Sequence, residues 1–440
     1  MSSWELKKLS EVADIIGGAT PKSDVDEYFN GDIPWITPKD LSGYKNRYIS
    51  KGERNITKLG LENSSAKLLP KGAVLFTSRA PIGYVAIADN EVSTNQGFKS
   101  LVLKDGNIPE FFYYLLKHNI PLFEARATGS TFKEVSGQVV KNTELLIPSI
   151  DIQKKIVDLV SPLDEKIQLN TQINQTLEQI AQTIFKSWFI DFDPVHAKAN
   201  ALASGQTLEQ ATQAAMAVIS GKNTQELHRL QTANPEQYQQ LWEIAETFPS
   251  GFDEEGVPRG WESKKVGEVA KIVKGKKPKL ISSEPDDGFL PHILMASLSG
   301  KYTEYAQIDK SIVCDIFDTL ILMDGAASGK IAIGHKGVIG STFAKMELSE
   351  NKYWALFNQF MFSKEQDIQA NTTGTSIPHT DKARVLDYEI IVPCDVVLNY
   401  FTEMYKNILC SILNQRKNSF LLENVRDLLL PKLLSGEIHL

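Results

Sequence analysis

Cysteine is scarce: Cys314, Cys394 and Cys410 are the only three in 440 residues, and none forms a CxxC pair. An odd count without paired spacing argues against a disulfide framework or a zinc site, and for a reducing compartment. Long apolar runs are missing too. None approaches the ~20 residues that a bilayer span requires. The opening MSSWELKK is charged, with no apolar stretch that would mark a secretory leader. The cytoplasm is therefore the expected location, with no membrane partner.

Catalytic signatures are equally thin. GAASGKIAIG (325–334) looks like a phosphate loop, but Asp324 and Ile331 stand where a Walker A needs glycine and Ser/Thr. DFDP (191–194) lacks the second proline and the aromatic of an amino-methyltransferase DPP[YF] motif, and no glycine-rich cofactor loop precedes it. The seven histidines show no HxxxH or paired-carboxylate spacing for a metal. Glu5/Lys7 and Glu262/Lys264 lack the upstream acid of a metal-dependent nuclease, and there is no GxSxG elbow. No catalytic residue, no metal site and no bound cofactor are expected.

What is present is an ordinary globular composition, 42% hydrophobic and 23% charged, in a chain long enough for two or three domains. The net charge of −7 is unevenly spread. Residues 200–257 hold eight acids against Lys222 and Arg229, a local −6 that leaves −1 for everything else. Residues 261–280 reverse this, with seven lysines and two glutamates. Local fields steer ligands even where the net charge averages them away.

The most informative feature is a repeat. WELKKLSEVADIIGGATPK begins at residue 4, and WESKKVGEVAKIVKGKKPK begins at 261; eleven of nineteen positions are identical at an offset of 257. GDIPWITPKDLSG (31–43) falls on GFLPHILMASLSG (288–300) at the same offset. TSRAPIGYVAI (77–87) falls on MDGAASGKIAI (323–333) at offset 246, which sets Arg79 against Gly325. TGS (128–130) falls on TGT (373–375) at offset 245. The first copy thus carries 11 extra residues within 51–70. In each copy short β-rich runs precede a helical stretch (109–119 and 353–363), a Gly/Thr/Ser loop, and a strand ending at Pro148 or Pro393. One long helix follows.

That helix has matching seams. Ile156, Val160, Leu163, Ile167, Leu177, Ala181, Ile184 and Trp188 recur at 4/3 spacing in the first copy. In the second the corresponding positions are Phe401, Tyr405, Ile408, Ile412, Leu422, Arg426, Leu429 and Leu433. Asn170 and Asn174 interrupt the first seam, and Gln415 and Ser419 interrupt the second at the same two positions. Heptad spacing calls for a partner helix, and polar seam residues fix register. Antiparallel pairing would bring the two polar layers together. At ~1.5 Å per residue each helix could span nearly 60 Å and act as a ruler.

Two related modules, a rigid spacer and no chemistry describe a binding architecture. A ligand with two separated sites suits it, and DNA half-sites demand such fixed spacing. Candidate DNA-contacting residues in the first copy are Lys22, Trp35, Thr37, Lys39, Tyr44, Arg79, Gln96 and Ser130; Trp35 suits a core equally well. In the second copy they are Lys276, Lys277, Lys279, His292, Ser328, Lys330 and Ser376.

These segments resemble the specificity subunit of Type I restriction–modification enzymes. The carriers are the doubled W-E-x-K-K-[LV]-x-E-V-A opening, GSTF (129–132), IPSIDIQKKI (147–156), FKSWFIDFDPVHAKA (185–199), GWESKKVGEVA (260–270) and LLPKLLSGEI (429–438). The resemblance implies an α+β chain with a pseudo-two-fold internal repeat. Two homologous mixed α/β target recognition domains, 1–150 and 261–394, would be separated by two long antiparallel coiled-coil helices, 151–190 and 395–436. The acidic segment would fall in a linker, 191–260, as a flexible or helical tether away from DNA. The chain would be a non-catalytic DNA-recognition subunit reading a bipartite, asymmetric target in double-stranded DNA. It would dock two adenine methyltransferase subunits and the restriction motor–nuclease subunits. S-adenosylmethionine, ATP and Mg would belong to those partners. The second copy departs from the first in TGTSIPH (373–379) against TGSTFKE, so different half-sites are expected. A stand-alone DNA adenine methyltransferase and a repeat scaffold that binds proteins are the alternatives.

Overall fold

The doubled opening segment builds the same element twice. Trp4–Lys8 is a strand that pairs antiparallel with Glu144–Pro148, Trp4 lying opposite Pro148. Glu262–Lys265 pairs likewise with Glu389–Val392, Glu262 lying opposite Val392. A one-turn helix follows in each copy, Leu9–Val12 or Val266–Val269, whose third residue (Glu11 or Glu268) accepts from the backbone N–H of Lys8 or Lys265. Such a reach back closes the first turn by satisfying a donor left free at the helix start.

The computed structural model describes residues 4–129, 133–374 and 377–440. The chain forms two units, Met1–Leu169 with Leu421–Leu440, and Asn170–Phe420. Among the described residues no helix is long and apolar enough to cross a membrane.

In the first unit a five-stranded sheet runs in the order Ala13–Gly17, Lys99–Leu103, Val74–Ser78, Ile82–Ala88, Tyr48–Ile49. A three-stranded sheet, Arg54–Ile56, Phe29–Ile36, Ser93–Thr94, accompanies it. Helix Pro109–His118 covers the larger sheet. Its proline occupies a position where no N–H is needed, and Lys117 and His118 meet the negative end of its dipole. Phe111, Phe112, Leu115 and Leu116 are fully or almost fully buried there with Phe76 and Phe123. Each such side chain contributes about 1.5–3 kcal/mol on burial. The stretch 51–70, where the first copy is the longer, contains the short helix Lys58–Glu62, which Thr57 caps by accepting from the Gly60 N–H at 3.0 Å.

The second unit repeats this plan with a four-stranded sheet, Ala270–Lys274, Phe343–Leu348, Thr319–Leu322, Ile331–Ala332. Helix Trp354–Ala370 covers it, burying Phe357, Phe360 and Met361. A five-stranded sheet replaces the small one: Ile281–Ser282, Tyr305–Gln307, Phe289–Ile293, Gly337–Ile339, Val313–Cys314.

Each copy ends in a 40-residue helix, Ile150–Phe189 and Asp395–Leu434. Within the first unit, Ile156 and Val160 of one share a core with Leu433 and Leu434 of the other. Arg426, on the apolar seam, meets Asp164 at 2.7 Å. Within the second unit, Asn170 bonds Ser419, Glu178 bonds Arg416 at 3.1 Å, and Phe185 packs on Phe401. Rising numbers on one helix meet falling numbers on the other in each unit, so the helices pair antiparallel in both. In the first unit Asp164 also accepts from the Tyr114 hydroxyl at 2.6 Å, and Arg47 lies 3.8 Å away. Burial, then the Asp164 charge, hold the Tyr114 phenol protonated far above its usual range.

The acidic segment is helical and has a core of its own. Its helices are Asp193–Ala203, Leu208–Ser220, Thr224–Ala233 and Pro235–Thr247. Thr207 with Gln210, and Asn223 with Glu226, form reciprocal caps. Ala215, Met216, Leu227, Leu241 and Ala245 pack together. The Lys198 ammonium is buried and donates to the carbonyls of Ala245, Glu246 and Phe248 at 3.2, 3.0 and 2.6 Å. Those carbonyls lie at the end of the last helix, where acceptors lack intrahelical partners. The glutamates line the outside.

Candidate nucleic-acid interface

The loops that follow the first sheet strand are held close to the neighbouring chain in both units. A Cβ on Gly18 would lie 2.0 Å from the Asn95 carbonyl oxygen, and one on Gly275 would lie 2.2 Å from that of Gly340. Only glycine permits this approach. Beyond it, Lys22 in the first unit and Lys276, Lys277 and Lys279 in the second are exposed, and none makes an ion pair among the described residues.

The first unit also has a cleft of about 940 Å³. Thr37, Lys39 and Arg79 line it together with Asn95 and Lys133. The Thr37 N–H and hydroxyl both donate to Asp40 Oδ2, at 2.7 and 2.6 Å, which shapes the turn. Lys39 pairs with Glu53 at 2.7 Å, and Arg79 with Glu134 at 3.5 Å. Gln96 is exposed and accepts from the Thr20 hydroxyl. Tyr44 is exposed and donates to the Tyr48 carbonyl at 2.5 Å.

Three candidates are buried. Trp35 is 4% exposed, stacks edge-on against Phe29 and donates its indole N–H to the Ala19 carbonyl at 3.1 Å. His292 is 6% exposed, with Nδ1 3.1 Å from Glu304. Ser328 is 2% exposed, inside the turn after Gly325. Each of the three is enclosed by its own unit. Lys330 lines a separate cavity of about 440 Å³ with Gln359, Tyr405 and Leu409. Ser130 and Ser376 lie outside the described residues.

The polar seam residues all belong to the second unit. Asn170 is fully buried and donates from its amide to Ser419 Oγ at 3.2 Å. The side-chain oxygens of Asn170, Asn174 and Gln415 are buried with no partner among the described residues.

The structure also moves one correspondence of the repeat. Ser78 donates its N–H to Gly97 and accepts from Val135; Met323 donates to Thr342 and accepts from Thr380, in each case at 2.7 and 2.9 Å. Isolated bridges join Arg79 to Glu134 and Asp324 to His379. Arg79 therefore corresponds to Asp324, at offset 245, and not to Gly325. The register slips only within the following turn, since Gly83 and Gly329 share a left-handed φ of +98° and +88°. Identity counting favours the later offset because Ala80, Gly83, Ala86 and Ile87 match beyond the slip.

In the first unit Glu134 pairs with Arg79 and Lys133 lines the cleft; in the second Lys274 and His379 pair with Asp324; loop reading alone misses these four. The signal for two of them was available: the offset that carries TGS onto TGT also carries Glu134 onto His379. Among the described residues no cluster of three or more His, Cys, Asp or Glu side chains could hold a metal ion.

A duplicated α/β reader with paired long helices and a lysine-bearing loop defines a recognition protein. The family of the type I restriction modification DNA specificity domain matches residues 1–179 and 258–395, most of the chain, and the chain belongs to that family as a specificity subunit, a recognition component and not a catalytic one. The chain is 32% identical to the type I restriction enzyme MjaIX specificity subunit of Methanocaldococcus jannaschii, over 99% of this chain and 94% of that one. It is also 32% identical to the HindI specificity subunit of Haemophilus influenzae, over 94% of this chain and all of that one. Among solved structures, the type I restriction–modification S subunit from M. genitalium shares the fold, with a TM-score of 0.55 and 15% identity over 98% and 96% of the two chains.

Proposed function

We propose that the chain reads a bipartite, asymmetric target in double-stranded DNA, one half with each unit. In this reading it presents that target to two adenine methyltransferase subunits and to restriction motor–nuclease subunits. S-adenosylmethionine, ATP and Mg belong to those partners, and the cytoplasm is where they meet DNA. The carrying observation is a shared frame with unlike side chains: Gly18 and Gly275 make the same close approach, while the loops beyond them present Lys22 in one unit and Lys276, Lys277 and Lys279 in the other. Lysines without ion-pair partners suit phosphate contacts, which position a protein on the duplex. The paired helices set the gap between the half-sites.

The test is to reconstitute the chain with its methyltransferase partners and to sequence the methylated adenines in a randomised duplex library. A two-part motif with a constant gap is expected. Exchanging residues 1–150 for those of a relative should alter one half only. A contiguous motif, or a change in both halves, would overturn the reading. Methylation by the purified chain alone would overturn the partner assignment.

A further inference from the structure

The corresponding positions Arg79 and Asp324 carry opposite charge, and the reversal extends to their surroundings. In the first unit the carboxylate is on the returning loop: Glu134 meets Arg79 at 3.5 Å and Lys99 at 3.5 Å. In the second unit the carboxylate is on the hairpin: Asp324 meets His379 at 2.8 Å and Lys274 at 2.8 Å.

The lysine keeps its place by changing strands. Gly17 lies opposite Lys99 in the first unit, and Lys274 lies opposite Ala344 in the second. Each cross-strand pair therefore supplies one ammonium to one carboxylate. Around that fixed contact the remaining two positions are interchanged. A guanidinium stands where the other unit has a carboxylate, and an imidazole stands where the first has a carboxylate.

All of these groups remain partly open to solvent, with Arg79 on the rim of the large cleft. Burial alone would raise the Asp324 carboxyl, but the bonds from Lys274 and His379 bring it below its ordinary range. It stays ionised and so accepts hydrogen bonds without donating any. Arg79 is its complement, with donors only.

We infer that this shared position sets the donor–acceptor identity of one base in each half-site: guanine before Arg79, and the amino group of cytosine before Asp324. Arginine matches the O6 and N7 acceptors of guanine in the major groove, and a carboxylate accepts from cytosine N4. The two units would then read the same type of base pair from opposite strands. This rests on the proposed function.

The experiment uses the complex reconstituted with its methyltransferase partners on a randomised duplex library. Asp324→Asn can pair with adenine, so one position of the second half-site should shift from cytosine toward adenine. Arg79→Gln should shift one position of the first half-site from guanine toward adenine. Preference at that position should change by about tenfold to a hundredfold, with the other half untouched. An ion pair that merely closes the loops would lower methylation evenly and leave base identity alone, and that outcome overturns the inference.

A second arm leaves the protein intact. Replacing guanine by 7-deazaguanine at successive positions of the first half-site should cost about tenfold at one of them, as should N4-methylcytosine at one position of the second. A first half-site without guanine, a second half-site without cytosine, or indifference to both analogues would also overturn it. If the wild-type complex yields no two-part motif, the proposed function fails. If it yields one that both variants retain, only this inference fails.

Discussion

Asn170 and Ser419 face each other from the two long helices, and among the described residues the one bond the buried Asn170 side chain makes across the seam is that at 3.2 Å to Ser419 Oγ. Its carbonyl oxygen is already without a partner. Ser419→Ala would leave the amide N–H orphaned as well, at about 1–3 kcal/mol. Replacing both, Asn170→Leu with Ser419→Ala, removes the orphaned N–H and the unpartnered Asn170 oxygen together. The double variant should be more stable than Ser419→Ala alone in chemical denaturation. The reverse order would mean that the polar layer is stabilising in itself.

Asp164 has a similar position in the first unit with higher stakes. It accepts from Arg426 and Tyr114, and Arg47, almost fully enclosed, lies beside it. Asp164→Ala should cost on the order of 3 kcal/mol, because it strands cationic groups in a poorly hydrated place. Adding Arg426→Met should recover part of that loss. A double-mutant cycle by urea denaturation measures the coupling, and strict additivity would count against it.

His335 gives the second unit an acid limit. It is 3% exposed, bonded to the Tyr302 hydroxyl at 3.2 Å. Burial first, and the Arg416 charge second, push it down to about 4 from an ordinary 6.5. The folded state therefore binds fewer protons than the unfolded state between those values. Stability is complete above pH 6.5, falls as pH drops toward 4, and changes no further through this group below that. The loss should be roughly 3 kcal/mol. His335→Gln should flatten that part of the profile. An unchanged slope would assign the acid sensitivity to other groups.

If the long helices set the gap between half-sites, lengthening one should lengthen the gap. Four residues inserted after Thr171 add about 6 Å and roughly 40° beyond a full turn. A four-residue stutter is tolerated in a coiled coil. The expected methylation motif keeps both half-sites and gains about two base pairs between them, at ~3.4 Å each. Full activity with an unchanged gap would contradict the ruler.

The repeat and its two long helices were legible in the sequence because identity at a fixed offset and 4/3 spacing do not depend on knowing what is buried. The surface was less so. Trp35 and His292 are residue types that serve a core or an interface equally, and only the neighbours Phe29 and Glu304 decide for the core. Arg79 was matched to Gly325 because one residue slips inside a turn, and identity cannot locate a slip that backbone hydrogen bonds can. The helices of the acidic segment do announce themselves, through Thr207 with Gln210, Asn223 with Glu226, and Pro235 at a helix start.

The glycine pair has a consequence for evolution and for engineering. Any side chain at Gly18 or Gly275 would collide with backbone, not with a neighbour that could turn aside. Mutational drift at those two codons is therefore closed, while the lysine-bearing stretches just beyond them are anchored but uncommitted. A library that randomises 19–24 and 276–280 and leaves both glycines alone would explore new sequence preferences on a scaffold that still folds. One that includes the glycines would lose most of its members before selection began.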